Sequence, residues 1–309
     1  MERQTVFPLL RLPIIAIHAI VSEMEPFEIF QLTLVSLKTR RIVKSYTKLY
    51  GQHCLELVVA KKPMVSIKEG QTFYDFIVTS DVSTDTKQIS NNATTIYERL
   101  LVYSDDVWMT WLTLIQSAQE IWKIQKYSLV FFLNDLPERF EEITIWLKIL
   151  LPTNVSSCEF KGESSDTDGH VQYVLNNFEV TDTLLIFSKV SDRFQGKIPE
   201  NLNLVHFRYA TWMNQDQLWK LNASEIHIES SNFTCEDFKL FILGWSYFEL
   251  QGQLKFLKMG IEDPESVNTI LDIPHQAEYF LKMDLGRFAT SRFATGTFRD
   301  CDTLNRAKS

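Results

Sequence analysis

Three short helical runs open the chain. Pro13 stops any helix before it and suits the first turn of one that begins there. Beyond it Ile14, Ile17, Ile20, Val21 and Met24 recur at helical spacing. Glu25-Pro26 breaks that helix and starts a second, in which Phe27, Phe30 and Leu34 share a face with Ile29 and Leu32 beside them. Ser36 is placed to cap a third, where Leu37, Ile42 and Val43 alternate with Lys38, Arg40, Arg41 and Lys44. A unit of about 35 residues is too small to be stable alone. Its apolar surface must therefore be covered, by the rest of this chain or by another one.

The period then shortens to two. Leu55, Leu57 and Val59 alternate with polar neighbours and predict a strand; Phe73 to Thr79 and Thr94 to Val102 predict two more. Pro63, Gly70 and Asn91-Asn92 mark turns, and the polar stretch Ser80 to Asn92 predicts an exposed loop. Residues 49–103 thus form a short β-rich connecting unit.

From residue 104 the pattern repeats. Val107 to Lys126 is helical, with Trp108, Trp111, Leu112, Ile115, Ile121 and Trp122 on its apolar positions. Apolar triplets with offsets of three and five follow: Tyr127-Val130-Phe132, Val155-Cys158-Phe160, the weaker Thr181-Leu184-Ile186, Leu202-Val205-Phe207, Ala223-Ile226-Ile228 and Leu254-Leu257-Met259. Their first positions are 28, 26, 21, 21 and 31 residues apart, around the period of a leucine-rich repeat. Helical runs lie between several copies, at Leu136 to Leu151, His170 to Phe178, Asp216 to Leu221 and Cys235 to Phe248; another, Pro264 to Leu271, follows the last. Thr234 is placed to cap the run that starts at Cys235. A strand-then-helix unit cannot close a core alone, so copies must stack with parallel strands on one side and helices on the other. The predicted fold class is α/β: a small three-helix unit, a β-rich connector, then a degenerate leucine-rich-repeat-like solenoid over 104–285. The alternation also names an exposed strand face: Phe131, Glu159, Leu185, His206, His227 and Lys258, with Arg208 and Glu229 nearby.

Composition changes this picture little. The 309 residues are 45% hydrophobic and 23% charged, an ordinary globular balance. The net charge of −8 argues against a nucleic-acid binder, although residues 1–50 carry seven Lys/Arg against four Asp/Glu. The basic run Lys38, Arg40, Arg41, Lys44 and Lys48 reads as a solvated helix face before it reads as a localisation or phosphate patch. Cys54, Cys158, Cys235 and Cys301 show no disulfide or metal spacing, which indicates a reducing compartment. The apolar run Leu9 to Val21 is interrupted by Arg11, Pro13 and His18 and is too short to span a bilayer, so an intracellular protein off the membrane is expected.

No dinucleotide fingerprint, P-loop, zinc-protease or nucleophile-elbow motif occurs, and no cofactor is expected. His206 and His227 fall at corresponding repeat positions and are expected to be neighbours. A metal or catalytic pair would still need a third group, for which Glu229 is the near candidate, and a polar strand face is the stronger reading. No catalytic or metal-ligating residue is assigned.

Two stretches carry family resemblances. Leu12-Pro13, Ile17, Ile20, Met24-Glu25-Pro26, Ile29, Leu32, Val35-Ser36 and Arg40-Arg41 resemble an F-box, within residues 7–48. Ile14 and Ile15 depart from that pattern, which has acidic residues there, and Thr39 stands near its usual Trp. The opening Phe7-Pro8-Leu9-Leu10-Arg11-Leu12-Pro13 resembles that of nematode F-box families. Ser224 to Thr234, then Asp237 to Ile242 and Gly244-Trp245, are similar to the F-box-associated domain of one such family. The resemblance implies binding to a Skp-family adaptor, and through it to cullin and a RING subunit. At matching positions it assigns that interface, or the packing beneath it, to Leu12, Pro13, Ile17, Ile20, Val21, Ile29 and Leu32. The C-terminal domain would then bind a target protein, on the exposed strand face. The implied function is substrate recognition for an SCF-type ubiquitin ligase; the alternative is an interaction scaffold without a ubiquitination role. Residues 286–309 hold two Arg-Phe-Ala-Thr copies and no sustained period, and are expected to be a disordered tail.

Overall fold

Parallel pairing between the first strand and a strand 70 residues later sets the architecture. In the computed structural model, which describes residues 11–50, 53–82, 87–92, 95–135, 138–162, 167–194, 196–246 and 254–260, the strands are β1 (His53–Val59), β2 (Met64–Glu69), β3 (Thr72–Thr79), β4 (Lys87–Asn92), β5 (Thr95–Tyr103), β6 (Ile124–Phe132), β7 (Asn154–Lys161), β8 (Glu179–Ile186), β9 (Leu202–Tyr209), β10 (Ala223–Ser230) and β11 (Phe256–Met259). They form one 11-stranded sheet in the order β11-β10-β9-β8-β7-β6-β1-β2-β3-β5-β4. From β1 through β6 to β11 all neighbours are parallel, and β6 to β11 lie in chain order. The β-rich connector is therefore continuous with the repeated strands. The predicted helix 264–271, the tail 286–309 and the opening residues 7–10 lie outside the described residues.

The three N-terminal helices are α1 (Ile14–Ser22), α2 (Pro26–Val35) and α3 (Leu37–Tyr50). Pro13 precedes α1, and Pro26 occupies the first turn of α2 behind a reciprocal Glu25–Glu28 capping box. Ser36 and Thr39 cap α3 in the same reciprocal way, at 3.0 and 3.1 Å. The later helices are α4 (Val107–Ile121), α5 (Phe140–Leu150), α6 (Asp168–Asn177), α7 (Gln215–Lys220) and α8 (Cys235–Ser246). Thr234 accepts from the Asp237 amide at 3.2 Å, and Asp237 accepts from the Thr234 amide at 2.8 Å.

Two rows of apolar side chains run across the sheet and form the core. One is Leu57, Leu129, Cys158, Leu184, Val205, Ile226 and Leu257; the other is Val59, Phe131, Phe160, Ile186, Phe207, Ile228 and Met259. All but the β11 members are buried. Burial pushes the Cys158 thiol well above its ordinary range, so it is a core hydrophobe. The helices pack on this face. Phe140 of α5 meets Phe131 edge-on at 6.0 Å and His170 of α6 at 4.7 Å. The Trp111 indole of α4 donates to the Met64 carbonyl at 2.9 Å.

The N-terminal helices belong to the same layer. Phe27 of α2 sits edge-on to Tyr74 at 5.4 Å and to Phe76 at 4.9 Å, both on β3. Thr47 of α3 donates to the Ile121 carbonyl at the end of α4. Arg40 and Lys44 reach Glu120 at 2.6 and 2.8 Å, and the Lys44 ammonium, with Arg40, holds that carboxyl below its usual range. These two members of the basic run thus tie α3 to α4.

Three expectations are corrected. Lys87–Asn92 is an edge strand, not a loop: β4 takes its hydrogen bonds from β5 and needs no apolar alternation to do so. The first repeat copy is out of register by one. Leu129 and Phe131 enter the core rows, while Phe132 is exposed; a slip of one residue exchanges the two faces. In the weak copy Val180, not Thr181, pairs with Val155, because the ladder shifts between Val155 and Ser157.

Candidate functional site

Two surfaces combine the residue types and exposure that recognition needs. The first lies on the N-terminal helices. Ile17, Val21 and Ile29 are buried in the core, and Leu12 and Leu32 pack partly against it. These residues hold the bundle together more than they face a partner. Pro13 is exposed and Ile20 half-exposed. The large exposed apolar groups are others: Ile14 and Ile15 at the start of α1, the latter 80% exposed, and Leu34, Val35 and Leu37 at the α2–α3 corner, the last 72% exposed. Among the described residues, five large aliphatic side chains are thus left exposed on this small unit. Sequence reading put Ile14 among the helix's apolar positions and noticed Ile15 only as a departure from a pattern. The signal was there, because α1 is apolar on all sides and one helix face can bury only about a third of it.

The second surface is the other face of the sheet, over β6 to β11. Register aligns Val130, Glu159, Leu185, His206, His227 and Lys258 in one row. One pleat further along the strands lie Phe132, Lys161, Phe187, Arg208 and Glu229. The predicted residues thus share one face, apart from Phe131, but the face is not exposed throughout: Val130, Glu159 and His227 are buried. The Phe131 side chain is fully buried and stacked on Phe160 at 5.6 Å, on the helix side. The misplaced first copy caused the error, and Val130 takes its place in the row.

Glu229 is the hub of this face. His206 Nε2 lies 3.0 Å from Glu229 Oε1, Lys258 Nζ lies 3.6 Å from the same oxygen, and Arg208 Nε lies 3.8 Å from Oε2. The hydrogen bond from His206 holds the Glu229 carboxyl below the usual range, and Lys258 and Arg208 add to it. His206 and His227 are neighbours, with ring centroids 5.1 Å apart, and His227 turns toward Glu225 at 3.6 Å. The two imidazoles thus take different carboxylates. Among the described residues no group of three His, Cys, Asp or Glu is placed to hold a metal ion. Glu159 is buried, which pushes its carboxyl up against the pull of Lys161 at 3.1 Å.

Aromatic rings interleave with the cations. The Arg208 guanidinium lies 4.8 Å from the Phe187 ring centroid and the Lys161 ammonium 5.4 Å from that of Phe132. Phe187 also meets His206 edge-on at 4.7 Å. Lys161 and Phe187 were not singled out from the sequence, and Phe132 was read as a core position; all three sit one pleat beyond the residues named for this face. The arrangement can bind charged and apolar groups together, and no pair of groups on it is positioned as nucleophile and base.

No described helix is long and apolar enough to cross a membrane. Comparison with protein families gives two matches. An F-box domain model matches residues 9–49, which span α1 to α3. An F-box associated model matches residues 193–259, which span β9 to β11 and so include His206, Arg208, His227, Glu229 and Lys258. No curated protein and no solved structure matches the chain.

Proposed function

We propose that this chain, which carries an N-terminal F-box and a C-terminal F-box-associated domain, is the substrate-recognition subunit of an SCF-type cullin-RING ubiquitin ligase. The F-box binds a Skp-family adaptor, which links it to cullin and the RING subunit. The second sheet face binds the target. The carrying observation is the exposed apolar set Pro13, Ile14, Ile15, Leu34, Val35 and Leu37 on a bundle that buries Ile17, Val21, Phe27, Ile29 and Val43 within the chain.

The chain performs no chemistry of its own in this reading. It raises the effective concentration of target lysines near a charged conjugating enzyme. Fixed packing of α2 on β3 and of α3 on α4 supports that role, because it holds adaptor and target at a set distance. The complex works inside the cell. Its parts are an F-box over 7–48, a β-rich connector over 49–103, and a degenerate leucine-rich-repeat-like solenoid over 104–285. Six parallel strands in chain order support the solenoid. The target face comprises Glu159, His206, Arg208, His227, Glu229 and Lys258.

Co-expression with a Skp-family adaptor tests the first half. Wild type is expected to co-purify with the adaptor, and Leu12→Ala/Pro13→Ala to lose it while remaining folded. A folded wild type that leaves the adaptor unbound would reduce the chain to an interaction scaffold.

A further inference from the structure

We propose that the chain's own C-terminal segment, within residues 261–309, lies across the second sheet face and must leave before a target binds there. Its effect on targets rests on the reading of that face as the target surface; the contact itself rests on burial.

Among the described residues three buried apolar side chains take no part in the packed cores. They are Val58, Phe73 and Val130, at 7%, 7% and 2% exposed. Register puts all three on the second face, Val58 beside Val130 and Phe73 between Lys68 and Tyr97. Asp75 and Glu159 are buried on the same face. Every described helix buries its apolar side chains in the cores on the opposite side, so none covers these residues. Their neighbours do not shield them either. Val130 stands between Val58 and Glu159, two residues after Ser128. Val58 and Ser128 are no taller than it is, and Glu159 leans to Lys161 at 3.1 Å. Parallel sheets are as a rule covered on both faces, and the described helices cover one.

The cover belongs to this chain, since these exposures are those of the chain by itself. The undescribed internal stretches run to seven residues at most and join neighbouring elements, and residues 1–10 lead into α1 on the helix side. Only the stretch after β11 is long enough. From β11 to β1 is six strand spacings, about 29 Å at ~4.8 Å each, which about nine extended residues span at ~3.3 Å per residue. With the predicted helix 264–271 set aside, residues 272–309 remain. Within them Leu281, Met283 and Leu285 alternate with Lys282 and Asp284, the period of a segment with one side on a sheet. Arg287-Phe288 and Arg292-Phe293 follow. Glu159 Oε2 is buried with no hydrogen-bond donor among the described residues, and a guanidinium of this segment supplies one.

The first test is photo-cross-linking of the full chain with p-benzoylphenylalanine in place of Met283, read by mass spectrometry on the monomer fraction. Cross-links to second-face residues of β1, β2 and β6 to β8 are expected. Cross-links confined to the helix side, or none, would overturn the proposal. The second test uses a fluorescein-labelled peptide of residues 277–298, read by anisotropy. Its partners are the wild-type full chain and the full-length variant Leu281→Asp/Met283→Asp/Leu285→Asp. A tethered copy competes at an effective concentration of about a millimolar, so wild type should bind the peptide about tenfold more weakly than the variant, or worse. Adding Leu185→Asp, on the face, should abolish binding to the variant; Ile149→Asp, on the outside of α5, should change nothing. Equal binding to wild type and variant, no binding to the variant, or indifference to Leu185→Asp would overturn the proposal. Adaptor co-purification is scored on the same wild-type preparation, so a lost adaptor with the cross-links intact would count against the ligase reading alone.

Discussion

Replacing Phe27 by Ala tests whether the F-box is built into the sheet or merely tethered to it. Phe27 is 4% exposed and its ring meets two aromatic rings of β3 edge-on, at 5.4 and 4.9 Å. A buried Phe removes about 150–250 Å² from water, worth about 4–6 kcal/mol at ~25 cal/mol/Å². Measured Phe→Ala changes in cores cost about 3–5 kcal/mol. With about 2–4 °C per kcal/mol for a domain of this size class, the midpoint should fall by roughly 6–20 °C. Differential scanning calorimetry of the full chain is the assay. If the F-box and the sheet form one cooperative unit, a single transition moves as a whole. A small early transition that moves alone, with the main one unshifted, would show an F-box that folds apart from the sheet and refute the shared core.

Four further outcomes follow from single sites. Asp75 is buried, which raises its carboxyl above the usual range against the bond from Ser66 Oγ at 2.6 Å and the Arg99 guanidinium at 3.4 Å. A raised folded-state value means that its contribution is fully present below the unfolded value of about 3.9 and is lost as pH rises through the folded one. Asp75→Asn should therefore gain stability over wild type at pH 7 and lose that gain near pH 3.5; urea midpoints that favour Asp at neutral pH would show the Arg99 pair to dominate. Gly260 lies so close to β10 that an added Cβ would stand 1.8 Å from the Glu229 carbonyl oxygen. Gly260→Ala should release β11, read as faster amide exchange in residues 254–260 with β6 to β8 unchanged. Thr47→Val should cost about 1–2 kcal/mol, because it leaves the buried Ile121 carbonyl without its donor. Glu120→Ala, which removes a half-exposed partner, should cost under about 1 kcal/mol by the same denaturation assay.

How much of this was legible depends on what each residue had to do. The three N-terminal helices were readable because Pro13, Glu25-Pro26 and Ser36 each punctuate the chain by local stereochemistry. The core rows were readable from β7 onward. Cys158, Leu184, Val205, Ile226 and Leu257 each stand three residues after the first position of their apolar triplet, and each is followed two residues later by the next core side chain. The first copy failed because Leu129, Val130, Phe131 and Phe132 are all apolar, and a continuous apolar run carries no period to fix the register. β4 was missed because an edge strand is defined by its backbone partners. Its sequence Lys87-Gln88-Ile89-Ser90-Asn91-Asn92 is what an edge exposed to water tolerates. The shared sheet face of these residues was readable, since His206, His227 and Glu229 interrupt apolar neighbours at alternate positions. The exposed residues Leu34, Val35 and Leu37 were hidden among apolar residues that a helical bundle needs anyway. Only the packing shows which of those remain in water.

The most direct test of the ligase assignment is the affinity of the Leu37→Asp chain for a Skp-family adaptor, measured by isothermal titration against wild type. Leu37 is 72% exposed, so the variant should fold as wild type does. A buried carboxylate at the interface should then weaken binding by about a hundredfold or more. Unchanged affinity, or a wild-type chain that binds no adaptor, would contradict the account.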